Sequence, residues 1–96
     1  MENVKNVFYP HLKHYIFGAG INGKNALNKF KDTVVGFIDN DKNKIGKTFE
    51  GYPVLSVKEL YSLNCNYQVI IAVDISNIYD IILQLKENNI SNYIII

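Results

Sequence analysis

The sequence contains no arginine; its ten basic residues are all lysine. That removes the planar bidentate clamp for carboxylate or phosphate and excludes an arginine finger. Basic charge is not in excess either. Ten lysines stand against nine carboxylates for a net charge of +1, so no surplus favours nucleic acid, and none is expected as a partner. Cysteine is confined to Cys65, which excludes an internal disulfide and suits a reducing cytoplasm. Cys65 lies between Asn64 and Asn66 with no neighbouring His or Lys to activate it, and it reads as a bystander. Long apolar runs are missing as well. The longest, 69–73 and 93–96, are far too short to span a bilayer, and residues 1–13 carry charges and Pro10 instead of a signal peptide's apolar stretch. A cytoplasmic protein with no direct membrane insertion is expected.

What remains is the composition of an ordinary globular domain: 96 residues, 48% hydrophobic and 20% charged, enough for one core and not two. Short runs rich in β-branched residues, at 14–17, 33–39, 67–73 and 92–96, are apolar at successive positions. Strands covered on both faces read that way, which points to a parallel sheet. Between them the period is helical. Gly23, Ala26, Leu27 and Phe30 form one stripe; Val57, Leu60 and Tyr61 a second; Ile78, Ile81, Ile82 and Leu85 a third. Ser56 and Glu59 predict a capping box with Leu55 stapled onto Leu60, and Asn88-Asn89 predicts a left-handed stop. A polar, lysine-rich loop follows Asn40, and 52–55 reads as a short edge strand in which Pro53 is tolerated.

Right-handed crossovers then lead to a three-layer α/β module, residues 14–96 behind a lead segment 1–13. The expectation is a parallel sheet of about five strands in the order 3-2-1-4-5, with 52–55 third and a ligand crevice where the order reverses. The chain stops inside its last strand, which suggests a module of a longer protein, covalently linked to a catalytic domain, or a homodimer that covers the exposed end.

The informative stretch is Phe17-Gly18-Ala19-Gly20-Ile21-Asn22-Gly23-Lys24, a complete G-x-G-x-x-G between a strand and a helix. Gly18 permits the tight turn. Gly20 lets a pyrophosphate approach the backbone. Gly23 shares the stripe of Ala26 and Leu27 and so brings the helix close to the sheet. The free N–H groups of the first helical turn attract negative charge. Asp39 ends the next strand, 21 residues after Gly18, where it accepts ribose hydroxyls or, with Asn40 and Asp41, caps a turn. Asp74 ends a later strand at the crevice, as a ligand contact or as part of a helix N-cap with Ser76. The candidate binding set is therefore Gly18, Ala19, Gly20, Ile21, Asn22, Gly23, Lys24, Asp39, Asn40 and Asp74.

Other chemistries find less support. Gly18, Gly23 and Lys24 also match the start of a P-loop, but Asn25 stands where Ser or Thr would hold magnesium. His11 and His14 have no further His or Cys to complete a metal set, so no metal is expected. No catalytic triad, carboxylate pair or Tyr-x-x-x-Lys dyad is present, and no catalytic residue is assigned.

The run 15–20, the strand Val35-Gly36-Phe37-Ile38-Asp39 with Asn40-Asp41, then Gly46-Lys47 and Gly51-Tyr52-Pro53-Val54-Leu55 resembles a Rossmann-like module across residues 14–96. It is similar to the N-terminal domain of bacterial sugar O- and N-acetyltransferases of the sialic-acid and bacillosamine pathways. It also resembles the nucleotide-binding module of capsule nucleotide-sugar dehydratases. The resemblance implies a bacterial surface-polysaccharide enzyme whose module, non-catalytic by itself, holds the nucleotide of a UDP-sugar; related modules take NAD or, less expectedly here, CoA. It carries over Gly18, Gly20, Gly23, Lys24 and Asp39. Asn22 departs from it, standing where the acetyltransferases often have histidine. The alternative is an interaction or oligomerisation module with a vestigial nucleotide site, using the open sheet end and Val4, Val7 and Phe8.

Overall fold

Strand and helix alternate as the apolar periods require. The computed structural model describes residues 6–96, and Val4 lies outside them. The order is β1 (Lys13–Phe17), α1 (Ile21–Phe30), β2 (Val34–Ile38), β3 (Thr48–Phe49), β4 (Tyr52–Leu55), α2 (Val57–Ser62), β5 (Tyr67–Ile71), α3 (Ile75–Glu87) and β6 (Tyr93–Ile95). One six-stranded, mostly parallel sheet runs β3-β4-β2-β1-β5-β6. This differs from the expected five-strand order. A two-residue strand, β3, pairs antiparallel with β4 and takes the edge, so β4 is internal. Pro53 nevertheless fits, because the ladder between β4 and β2 begins only at Val54, opposite Phe37.

Alternation along the strands sends side chains to two cores. Ile16, Phe37, Val54 and Ile70 meet Ala26 and Leu27 of α1 on one face. Tyr15, Phe17, Ile38 and Val69 meet Leu60 of α2 and Leu85 of α3 on the other. The capping box of α2 is present: Glu59 N–H donates to Ser56 Oγ at 3.1 Å, and Ser56 N–H donates to Glu59 Oε1 at 2.9 Å. α3 stops at Asn89, whose φ of +59° is left-handed. Its N–H bonds Lys86 O, and Ile90 N–H bonds Leu85 O, the two bonds of a Schellman ending.

The segment before β1 is tied down through a polar residue in the middle of the sheet. Gln68 is buried, takes Tyr9 N–H and His14 Nε2 on its oxygen, and donates to Val7 O and Asn92 Oδ1. Phe8 stacks on His14 with ring centroids 4.5 Å apart. Of the expected contact surface, Val7 is exposed and Phe8 and the β6 edge are engaged within the chain. Phe8 packs into the core, and the edge of β6 is engaged by Asn6, whose amide exchanges two 2.7 Å bonds with the backbone of Ile95. Among the described residues no helix is long and apolar enough to cross a membrane, and no group of three metal-ligating side chains occurs.

Candidate functional site

β1 ends at Phe17, and the chain must turn at once to lay α1 back across the sheet. Gly18 makes that turn at φ +119°, a value side chains rarely adopt. A Cβ there would collide with the carbonyl of Ala72, and one at Gly23 would collide with the carbonyl of Gly18. Both glycines are therefore demanded by packing. Gly20 is different. A Cβ built on it meets nothing within 4 Å, and its φ of −152° is extended. No protein atom requires its missing side chain.

The first intrahelical bond of α1 is Lys24 N–H to Gly20 O. Gly20 caps the helix without a side chain, and no acidic residue lies in the first turn. The N–H groups of Gly20, Ile21, Asn22 and Gly23 consequently have no acceptor among the described residues. Such unsatisfied donors at the positive end of a helix suit an anion.

Asp39 does not stand free for a ligand. Its Oδ2 accepts the N–H of Ala19 at 2.9 Å, and its Oδ1 accepts the N–H of Asp41 at 2.9 Å. The turn-capping role is thus present, and the same carboxylate braces the glycine turn from β2 at the edge of a cleft. Asp74 occupies the N-cap position of α3 but makes no capping bond; its Oδ1 accepts from Asn22 Nδ2 at 3.0 Å across the crevice. Asn40 is drawn elsewhere. It forms a reciprocal pair with Gln84, two bonds of 2.8 Å, and lines neither cleft at the turn.

Two open clefts, each of about 470 Å³, meet at this turn. One is bounded by Asp39, Asp74, Asn22, Asn77 and Val73. The other lies under the β3–β4 hairpin and includes Lys24, Lys47, Thr48, Phe49 and Glu50. Both include Ala19, Gly20, Ile21 and Lys44. Lys24, read from sequence as part of the turn, pairs loosely with Glu50 at 4.0 Å. Neither Lys44 nor Lys47 was read from sequence as a site residue, although Lys47 belongs to the Gly46-Lys47 pair of the resemblance. Lys44 reaches back to donate from Nζ to Ala19 O at 2.8 Å. The lysine-rich character of the loop was visible, but not that it folds over the glycine turn.

These features define a class: a layered α/β domain whose mostly parallel sheet ends in a glycine turn between two open clefts. The model of the family described as C2185-like, N-terminal, matches residues 11–96, and the chain belongs to that family. No curated protein matches the sequence.

Proposed function

We propose that this domain is a Rossmann-like binding module for a nucleotide diphosphate, a UDP-sugar or NAD, held over the Gly18–Lys24 turn. One observation carries the reading. Four amides from Gly20 to Gly23 lack protein acceptors, beside a glycine whose absent side chain no packing explains. A pyrophosphate supplies what both lack: acceptor oxygens, and a need to approach the backbone closely. Asp39 then offers its remaining lone pairs to ribose hydroxyls. NADP is disfavoured, because the Asp39 carboxylate would repel a 2′-phosphate and no arginine is present to receive it. CoA ranks below the other two. In this reading the domain binds without catalysing by itself and serves a surface-glycan biosynthesis enzyme, as its resemblance to the sugar acetyltransferase and dehydratase modules implies.

A thermal-shift panel of UDP-sugars, NAD, NADP and acetyl-CoA tests the reading. We expect stabilisation by a UDP-sugar or NAD, lost in Gly20→Val while the unliganded melting temperature stays within a few degrees. No shift with any of them at millimolar concentration overturns it.

An assembly role is the second reading, and a different observation favours it. Ile21 and Ile75, the first residues of α1 and α3, and Tyr79 further along α3 are 82%, 88% and 69% exposed. Sedimentation of the wild type against Ile21→Ser/Ile75→Ser decides it: a dimer lost in the double variant supports assembly, and a wild-type monomer excludes self-association through this surface.

A further inference from the structure

We infer that Lys44 and Lys47, on the loop between β2 and the β3–β4 hairpin, are the phosphate-binding side chains of this domain. They direct the phosphates of the ligand into the hairpin-side cleft and leave its hydroxyl-bearing part to the Asp39 side. This rests on the nucleotide-diphosphate reading above and adds an orientation and two residues to it.

The argument begins from a charge mismatch. Lys44 Nζ is held 2.8 Å from Ala19 O, immediately before the N-terminus of α1. A cation at the positive end of a helix is the unfavourable arrangement, and acids normally occupy the first turn. α1 has no acid there. Among the described residues the one ion pair is Lys24–Glu50, so neither Lys44 nor Lys47 has a carboxylate within pairing distance. Asp39 lies at the turn, but each of its oxygens already holds a backbone N–H. Two ammonium groups without an ion pair therefore line one cleft with Gly20 and Ile21, whose amides lack acceptors, and the one carboxylate there, Glu50, is taken by Lys24. A phosphate group is both the charge and the acceptor that is missing.

The two clefts settle which way the ligand runs. The one containing Asp39 and Asp74 presents carboxylates, which repel phosphate and accept hydroxyls. The one under the hairpin adds Lys24 and Lys47, with Glu50 offsetting only part of their charge. Lys44 lines both and stands at their junction, so a phosphate seated on the Gly20–Gly23 amides meets it first. Ligand binding exchanges the bond from Lys44 to Ala19 O for one to a phosphate oxygen.

The test measures binding of UDP, NAD and inorganic pyrophosphate by calorimetry to the wild type, Lys44→Gln, Lys47→Gln and Gly20→Val. Lys42→Gln serves as the control, since Lys42 shares the loop but lines neither cleft. These lysines are exposed, so the variants are expected to fold, which circular dichroism verifies. We expect Lys44→Gln and Lys47→Gln each to weaken the bound probe about ten-fold, the loss of one charge-assisted bond, with Lys42→Gln unchanged. Wild-type binding that Gly20→Val abolishes but both lysine variants retain at full strength overturns this inference and leaves the function standing. A wild type that binds none of the three probes overturns both.

Discussion

A methyl group added at Gly23 would be driven into the carbonyl of Gly18, and a backbone carbonyl in a tight turn has nowhere to retreat. The same methyl at Gly20 would enter open space. The two substitutions should therefore separate stability from binding. We expect Gly23→Ala to lose about 3 kcal/mol or more in urea denaturation, the upper range for overpacking. Gly20→Ala should lose at most about 1 kcal/mol, the difference between glycine and alanine at an N-cap. Equal losses would mean that Gly20 is as structural as its neighbours. The three-glycine pattern and the turn and packing roles of Gly18 and Gly23 were legible in the sequence, but the carbonyls of Ala72 and Gly18 that enforce them were not. Asp39 shows the same boundary. Its place at the end of β2 follows from the spacing. That its carboxylate spans Ala19 and Asp41 depends on a contact across 20 residues, which no local pattern encodes.

Elements with local chemistry were the readable ones. Ser56 and Glu59 specify the start of α2 because both bonds of the box lie within three residues. Asn89 ends α3 because asparagine tolerates the left-handed region. The β3–β4 hairpin went unread for an equally local reason. Its two loop residues, Glu50 at φ +52° and Gly51 at φ +83°, are both left-handed, the requirement of a type I′ turn that Asn-Gly normally announces. Glutamate gives no such signal. The hairpin forms because Phe49 and Tyr52 pack edge-on against Phe37, with centroids 5.0 and 6.1 Å away, so tertiary burial overrides a poor turn. We expect Glu50→Asn to relieve this strain and stabilise the domain by about 0.5–1 kcal/mol, seen as a rise in melting temperature. The exposed Lys24–Glu50 contact that it removes contributes little. A fall in melting temperature would show that the side chain of Glu50 matters more than its backbone.

At the scale of the whole molecule, long-range contacts between central strands hold the layers together, and they carry a pH dependence of their own. Gln68 was hidden inside an apolar strand and gave no hint that it secures the N-terminal segment. Tyr15 and Tyr67 were likewise unremarkable in sequence, yet they meet edge-on across β1 and β5 with centroids 5.8 Å apart. Burial raises both phenols above their ordinary value of 10.0, and the Cys65 thiolate adds to the effect at high pH. A raised value means that the folded chain keeps these protons where the unfolded chain has lost them. The stability they represent is complete below about pH 10 and drains away as pH climbs through the raised values. Urea midpoints measured from pH 8 to pH 11 should therefore fall at the alkaline end, and the fall should be shallower in Tyr15→Phe/Tyr67→Phe, whose rings still pack but cannot ionise. The slope is the proper readout, because Tyr67→Phe also removes a 3.3 Å bond from Tyr67 Oη to Leu60 O and so lowers stability at every pH. Every other ionisable group is common to both proteins, so the difference between the two curves isolates the phenols. Parallel curves would mean that water reaches both hydroxyls in the folded state, and that the β1–β5 core is open at this end of the sheet.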